Sequence, residues 1–429
     1  MEGLHSWLIC IVCFVAQACT VGFYNSYGTL FVAIIDEHNV SETLAALVGS
    51  LSYSLCLLFG GFTSPLCSKF GCRQVAFVGA IVYSAGLLLS SFAQGIVMIS
   101  VMFGLIFPLG ASAVYFSSLI VLPQHFETSY ALAVGIASSG TGVGGFVFSA
   151  LIEKSLESYG LQSTFRFLAA TGGLLLLGSL VYGKTPAKYS TTKDNLQRPT
   201  VFDAKIWKNK GFLIWTVSVC FIFSVLYIPF VHLVKRAADL GLTLSKASSL
   251  LGYVSAASTI GKIFFGKLAD CNWVNRLYLI QFTQLIVCIN HTLCPLFTSY
   301  GTLITYSVIY GFFDSCFNGL IAIIVVDIVG RHNLHNAIGA MYLLSSLFMM
   351  LGPPLAGFLY TVSGSYDSSF FTIGAIVAFS CCLMFLIPWF LPKSQWRILL
   401  SMKRPTVSKR TLRLNFLTRR ILGLPTTQE

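Results

Sequence analysis

Apolar blocks of about twenty residues recur about twelve times along this 429-residue chain, and they restrict its fold more than any other feature. An α-helix rises 1.5 Å per residue, so about twenty residues cross the roughly 30 Å hydrocarbon core of a bilayer. Each block therefore predicts a transmembrane helix. The composition supports this prediction, because 55% of the residues are hydrophobic and only 10% are charged, whereas soluble proteins carry about 25% charged residues.

One polar stretch divides the apolar blocks into two sets of six. Residues 184–210 contain seven lysine and arginine residues against two aspartates. We therefore predict an all-α integral membrane protein with twelve transmembrane helices, spans 1 to 12, in two six-helix bundles. Its predicted regions are a first half at 1–183, a basic cytoplasmic linker at 184–210, a second half at 211–392 and a basic cytoplasmic tail at 393–429.

The distribution of basic residues predicts the orientation of the chain. With both termini inside, 21 of the 27 lysine and arginine residues fall in cytoplasmic segments, and five fall in outside segments. Such a bias towards the cytoplasmic loops is the rule for membrane proteins. We therefore predict a multi-pass protein of the plasma membrane with both termini in the cytoplasm. The basic residues of the predicted cytoplasmic segments account for the net charge of +12, so we expect no nucleic-acid partner.

Two loop segments at equivalent places suggest that the halves are related. Lys69-Phe70-Gly71-Cys72-Arg73 stands between spans 2 and 3, and Gly266-Lys267-Leu268-Ala269-Asp270 stands between spans 8 and 9. Both resemble fragments of the loop motif of the major facilitator superfamily, G-x-L-A-D-R-x-G-R, although Ser68 occupies the acidic position of the first copy. This resemblance implies gating roles for Lys69, Arg73 and Asp270, because the motif can latch the cytoplasmic side in one conformation.

Three further stretches resemble the monocarboxylate transporter family (solute carrier family 16-like) of that superfamily. Residues 2–7 are similar to its N-terminal D-G-G-x-G-W motif, and residues 125–137 are similar to its Y-F-x-K-R-R-x-L-A-x-G-x-A motif. At 128–129 this chain has Thr-Ser where the family carries basic residues. Gly-Pro-Pro-Leu-Ala-Gly at 352–357, with Gly-Ser-Tyr-Asp at 364–367, resembles the span-11 signature. The resemblance covers nearly the whole chain and implies the major facilitator fold.

The resemblance also implies a function. It predicts a carrier of small organic monocarboxylates that works by alternating access between two six-helix bundles. Proton coupling stays open, because Thr29 and Ser258 replace two charges of the proton-coupled members and Lys262 replaces the third, an arginine. The alternatives are a facilitative carrier of aromatic amino acids or hormone-like carboxylates, and a non-transporting membrane sensor or scaffold. The predicted partners are an organic anion, with or without a proton, the lipid bilayer, and a single-span glycoprotein chaperone as for some family members.

Six polar residues inside the apolar helices are the predicted substrate-binding positions. They pair at helical spacing on spans 1, 8 and 10: Asn25 and Thr29, Ser258 and Lys262, Asp314 and Asn318. A charge at the centre of a transmembrane helix costs roughly 2.5–3.5 kcal/mol, so Lys262 and Asp314 require a partner or a function. Either they form a structural ion pair, or Lys262 holds the substrate carboxylate while Asp314 competes for it or carries a proton. We expect a depth difference of six to eight residues between them.

The chain lacks the motifs of a catalytic protein. It contains no phosphate-binding Gly-x-x-x-x-Gly-Lys-Ser/Thr sequence, and its seven histidines show no metal-ligand spacing with carboxylates. The Cys10-x-x-Cys13 pair lies within span 1 with no histidine or acid beside it, so we interpret it as packing. We therefore predict that the protein is not an enzyme and has no metal or cofactor.

Overall fold

The computed structural model describes residues 4–126, 130–183, 204–271, 274–330 and 334–390, and all regular elements within these ranges are helices. Ten helical segments there are long and apolar enough to cross a membrane. One of them, Ala133–Val181, contains two helices, because the backbone at Gly160 leaves the helical conformation (φ 74°, ψ 178°). Leu244–Asp270 is a further helix of spanning length, less apolar because it carries three lysines. The prediction of twelve transmembrane helices is therefore confirmed.

The helices of the first half run in chain order. Span 1 comprises Leu4–Gln17, the π-helical turn Ala18–Gly22 and Tyr27–His38; span 2 is Glu42–Phe70; span 3 is Cys72–Ser90; span 4 comprises Ile96–Val101, the π-helical turn Met102–Ile106 and Phe107–His125; spans 5 and 6 are the two parts of Tyr130–Val181.

The second half follows a short helix at Ala204–Trp207. Span 7 comprises Lys210–Leu226 and Ile228–Asp239; span 8 is Leu244–Asp270; span 9 is Arg276–Leu293 with a 3-10 turn at Cys294–Leu296; span 10 is Tyr300–Val329; span 11 is Leu334–Ser363; span 12 comprises Asp367–Met384 and Ile387–Phe390. Most of the predicted linker (184–203) and all of the predicted tail lie outside the described residues.

Short polar caps make the connections tight, so that consecutive helices are antiparallel. Asn39 ends span 1 in the left-handed conformation (φ 49°), and Ser41 caps span 2 by accepting a hydrogen bond from the Leu44 N–H. Thr243 and Asn275 cap spans 8 and 9 in the same way. These side chains satisfy backbone N–H groups that have no partner within the helix.

Contacts between the two halves concentrate at one end of the molecule, which we name the closed end. It carries the loops that follow spans 1, 7 and 11. A Cβ atom added to Gly28 on span 1 would lie 2.5 Å from the Phe230 carbonyl on span 7, and one on Gly357 of span 11 would lie 2.8 Å from the Thr43 amide of span 2. The backbones of the halves therefore touch directly at this end.

Spans 5 and 8 form the third contact between the halves, and it extends further from the closed end. Ser149 Oγ donates to the Ser248 carbonyl at 2.5 Å near the closed end. Gly142 lies against Thr259 and Ser255 about two turns further along. No hydrogen bond or aromatic pair among the described residues joins the halves beyond the level of Lys262. We name the opposite end of the molecule the linker end.

Arg236 holds the closed end of the second half together. Its side chain is buried, and its guanidinium group donates to the Cys294 carbonyl at 2.8 Å and to Asp367 Oδ1 at 3.4 Å. The guanidinium also lies over the Phe370 ring, 5.1 Å from the ring centroid. One side chain of span 7 thus joins the ends of spans 9 and 12 through charge-assisted and cation–π contacts.

Candidate functional site

Lys262 lies where spans 5 and 8 meet. Its half-buried side chain reaches from the second half to the first, and its Nζ donates to Thr141 Oγ1 at 2.8 Å. Ser258 and Thr259, one turn nearer the closed end, are also half-buried. Ser255, Ser258, Thr259 and Lys262 lie at helical spacing on span 8, and we name them the polar stripe. Three of them, Ser255, Thr259 and Lys262, contact span 5 at the boundary between the halves.

Asp314 is buried on span 10 and has a different partner. Only 7% of the residue is exposed, and Asn318 Nδ2 donates to its Oδ2 at 2.8 Å. This pair stands four residues apart on one helix, as the sequence predicts. Asn318 itself is exposed, so the amide links the buried carboxylate to a more open region.

Lys262 and Asp314 lie at one level but do not form a salt bridge. Gly261 packs against the Phe312 backbone and the Ser315 side chain, so the expected offset of six to eight residues is wrong. Loop positions do not fix the relative depth of the two residues, because that depth is set by where the two helices cross. The three salt bridges among the described residues join other pairs. The two charges still act on each other electrostatically, and each has its own hydrogen-bond partner.

The two predicted residues of span 1 differ in their surroundings. Asn25 lies in the break between the π-helical turn and the second helix of span 1, and it is half-buried. A Cβ atom on Gly145 of span 5 would touch both Asn25 and Ser255 of span 8, so Asn25 approaches the polar stripe. Thr29 is fully buried, and its hydroxyl has no hydrogen-bond partner in the described part of the chain.

A cluster of tyrosines between the halves was missed by the sequence analysis. Tyr24 stacks on Tyr53 with ring centroids 4.6 Å apart, and Tyr53 packs edge-on against Tyr227 at 5.0 Å. Tyr115 and Tyr342 lie near the hydroxyl of Tyr53. These five residues, which we name the tyrosine cluster, come from spans 1, 2, 4, 7 and 11. In the sequence they look like core aromatics, and only the hydroxyl that distinguishes tyrosine from phenylalanine hints at a polar role.

The predicted gating residues lie at the linker end. Lys69 and Arg73 are exposed, and Lys69 Nζ stands 5.2 Å from the centroid of the Phe70 ring. Asp270 ends span 8, but its side chain is outside the described part of the structure. The ion pair found at this end joins Arg276 to Asp327, with N–O distances of 3.2 and 3.0 Å. It links spans 9 and 10, and neither residue is among the predicted gating residues.

Comparisons with known sequences give one consistent family. The family described as Major Facilitator Superfamily matches residues 13–290 and 226–424. Monocarboxylate transporter 10 of Danio rerio is 30% identical over 402 residues, covering 90% of this chain and 79% of that protein. Monocarboxylate transporter 10 of Homo sapiens is 29% identical over 417 residues (92% and 81%). Monocarboxylate transporter 4 of Gallus gallus is 28% identical over 408 residues (92% and 85%).

Solved structures show the same architecture at low sequence identity. A bacterial homologue of the human lysosomal transporter Spinster, in an inward-facing and occupied conformation, aligns with a TM-score of 0.71 and 15% identity, covering 92% of this chain and 99% of that chain. The nucleoside transporter NupG aligns with a TM-score of 0.76 and 13% identity (89% and 99%). At these identities the likeness concerns the fold alone.

Proposed function

The chain belongs to the monocarboxylate transporter family of the major facilitator superfamily, and on that premise we propose that it carries small organic monocarboxylates by alternating access. It is a multi-pass membrane transport protein and not an enzyme. The substrate class and the mechanism are the proposed part, as is a position in the plasma membrane.

The observation that carries this proposal is the position of Lys262. Its ammonium group lies half-buried at the boundary of the two halves and donates to a neutral hydroxyl, that of Thr141. A carboxylate is the stronger acceptor, because a hydrogen bond between two charged groups is about twice as strong as one between neutral groups. A substrate carboxylate would therefore replace Thr141, and binding would change the contact between spans 5 and 8.

The asymmetry of the two ends supports alternating access. The halves touch at the closed end through direct backbone contacts, whereas no hydrogen bond or aromatic pair of the described residues joins them beyond the level of Lys262. Rocking of one bundle against the other would open the closed end and close the linker end around the same site. We assign the linker end and both termini to the cytoplasm, following the bias of basic residues, so this conformation would face inward.

The tyrosine cluster favours a second candidate substrate class. Its stacked rings and hydroxyls lie between the halves, where offset or edge-on contact with a further aromatic ring is favourable. A facilitative carrier of aromatic amino acids or hormone-like carboxylates would use these rings for the side chain and Lys262 for the carboxylate. Asn25 and Ser258 would then contact the polar part of the substrate.

Uptake into cells that express the chain tests both candidates. Labelled lactate, pyruvate, ketone bodies and aromatic amino acids are offered with and without an inward pH gradient, and surface expression is measured in parallel. A single-span glycoprotein chaperone is co-expressed, since we propose such a partner for surface delivery. We expect uptake or exchange of at least one class. No transport of any of them by protein at the surface would instead support a sensor or scaffold.

A further inference from the structure

Two cysteines meet across the turn between spans 2 and 3. Cys67 lies near the end of span 2, and Cys72 is the first residue of span 3. Between them the Gly71 N–H donates to the Cys67 carbonyl at 2.9 Å, and Gly71 has a φ of 87°, a conformation that favours glycine. This turn brings the two side chains together, and their thiols form a hydrogen bond with each other.

Contacts with span 4 hold both sulfur atoms in place. Cys67 Sγ stands 3.3 Å from Ser117 Oγ, and Gln124 Nε2 donates to Cys72 Sγ at 3.8 Å. Both cysteines are buried, and both are free thiols in this structure. Because one helix supports the two side chains, their contact with each other is a fixed feature of the folded first half.

The other closely spaced cysteines of this region are arranged differently. Cys10 Sγ donates to the Ala133 carbonyl at 3.4 Å, and Cys13 Sγ stands 3.7 Å from the Tyr182 hydroxyl. Each of these thiols has an oxygen atom as its partner, which suits a packing role. The pair at 67 and 72 differs, since its two thiols are partners of each other.

We propose that Cys67 and Cys72 are a redox modification site, at which a peroxide converts the two thiols into a reversible disulfide. Two cysteines can be bridged without backbone movement only where their side chains point towards each other, and thiols in hydrogen-bond contact meet this condition. The residues around the pair, Lys69, Phe70 and Arg73, are exposed. The thiols therefore lie just beneath the surface of the linker end, where a small uncharged oxidant such as hydrogen peroxide can reach them.

The oxidation balances with one molecule of hydrogen peroxide. The sulfur of one cysteine attacks a peroxide oxygen, the O–O bond breaks, and the products are a sulfenic acid and one water. The second sulfur then attacks the sulfenic sulfur, forms the S–S bond and displaces the hydroxyl group, which leaves as a second water with the remaining thiol proton. Each sulfur loses one electron, and the peroxide accepts both.

The position of the pair connects its oxidation with gating, and this part rests on the proposed function. The disulfide would close a ring around the turn that holds Lys69, and Arg73 follows directly after it. A closed ring restricts the rearrangement of this turn as the linker end opens and closes. Disulfides in the cytoplasm are usually transient and redox-sensing, so we expect oxidation to slow transport and reduction to restore it.

Peptide mapping of the purified full chain tests the disulfide without any transport measurement. Lys69 is the first lysine or arginine of the chain and Arg73 is the next, so trypsin cuts between the two cysteines and releases residues 70–73 with Cys72. The chain in detergent is treated with hydrogen peroxide, the remaining thiols are alkylated, and the digest is analysed by mass spectrometry with and without reductant. We expect residues 70–73 to be linked to residues 1–69 after oxidation and to be released by reduction.

Variants identify the partner of Cys72, because residues 1–69 contain further cysteines. Cys67→Ser should abolish the linked species. Cys10→Ala is the matched control, since Cys10 is buried in the same apolar cluster and its variant should keep the link. No linked species in the oxidised wild type would overturn the proposal. A linked species that persists in Cys67→Ser would also overturn it and would assign the bond to another thiol, such as the nearby Cys13.

Uptake measurements separate this inference from the carrier function. Wild-type uptake should fall severalfold on oxidation and recover on reduction, whereas uptake by Cys72→Ala should not respond to peroxide. A linked species with unchanged wild-type uptake would overturn the connection with gating. If the reduced protein takes up no carboxylate at all, the proposed carrier function fails, whereas the result of the peptide map still decides whether the disulfide forms.

Discussion

Tyr227 on span 7 donates its phenol hydroxyl to the Tyr24 carbonyl on span 1 over 2.9 Å, and this bond joins the two halves of the molecule. Both residues are buried, so the bond is protected from competition by water. Tyr24 stands in the break of span 1, four residues before Gly28, which packs against the Phe230 backbone. A bond in this place stabilises the conformation in which the closed end is shut.

Removing that hydroxyl should shift the conformational equilibrium. Tyr227→Phe deletes one buried hydrogen bond, worth about 1 kcal/mol, and should increase the fraction open at the closed end about fivefold. Distance distributions between spectroscopic labels on the two halves at the closed end measure this fraction. Tyr278→Phe, at a 48% exposed position of span 9, should leave it unchanged. An identical distribution in wild type and Tyr227→Phe would show that the bond does not contribute to closure.

Gly357 permits the close approach of spans 2 and 11. A Cβ atom there would lie 2.8 Å from the Thr43 amide, closer than packed atoms tolerate. Gly357→Ala should therefore hold the halves apart and reduce exchange severalfold, while the chain still reaches the membrane. Gly339→Ala is the control on the same helix, because nothing lies within 4 Å of its added Cβ. Equal loss of exchange in both variants would show that the loss comes from a change in span 11 itself and not from its contact with span 2.

Lys262 should be indispensable for transport of a carboxylate. Lys262→Ala removes the cation at the boundary of the halves and should abolish uptake, while surface abundance is maintained. Lys262→Arg keeps the charge and should retain part of the activity. Lys246→Ala, at an exposed position of the same helix, is the matched control and should transport normally. Normal uptake by Lys262→Ala would remove this residue from the substrate site.

Thr141→Val separates the lysine from its hydrogen-bond partner. The variant deletes the acceptor of the bond from Lys262 Nζ but preserves the shape of the side chain. In this variant the substrate carboxylate no longer competes with the Thr141 hydroxyl for Lys262. The half-saturating substrate concentration should therefore fall about fivefold, which corresponds to about 1 kcal/mol. A rise in that concentration would indicate that Thr141 holds the lysine in its working position.

Asp314→Asn tests whether this carboxylate carries a proton. If it does, uptake driven by an inward pH gradient should vanish in the variant, while exchange at equal pH persists. Paired measurements of driven uptake and equal-pH exchange, each at matched surface abundance, distinguish these two effects. If uptake by the wild-type protein does not respond to the pH gradient, Asp314 has another role.

Much of the fold follows from the sequence, because membrane insertion depends on local composition. Each apolar block becomes a helix, and the four-residue spacing places Asp314 and Asn318 on one helix face, where they form a hydrogen bond. Contacts between residues of different helices cannot be predicted in this way. That Lys262 meets Thr141, and that Gly261 crosses span 10 at Phe312, depends on how two bundles pack. No local pattern in a single sequence encodes this packing.

The polar residues between helices were the hardest to predict. Tyr53 and Gln284 lie within long, largely apolar blocks of the sequence and look like ordinary members of a buried helix face. Tertiary packing alone brings Tyr53 into the tyrosine cluster and sets Gln284 beside Asp314. Charged residues attract notice because their burial is costly, whereas an uncharged polar side chain in an apolar block gives a much weaker signal.

The contacts of Arg236 determine the order in which the second half can be completed during synthesis. The Cys294 carbonyl follows 58 residues later in the chain, and Asp367 follows 131 residues later. At roughly 5–20 residues per second, a ribosome needs about 7–26 s to add the second of these segments. Until the second segment is made, the nascent chain holds an arginine whose set of final partners is incomplete. A chain that stops before span 12 keeps this charge incompletely paired, and cellular quality control can recognise such a chain as unfinished.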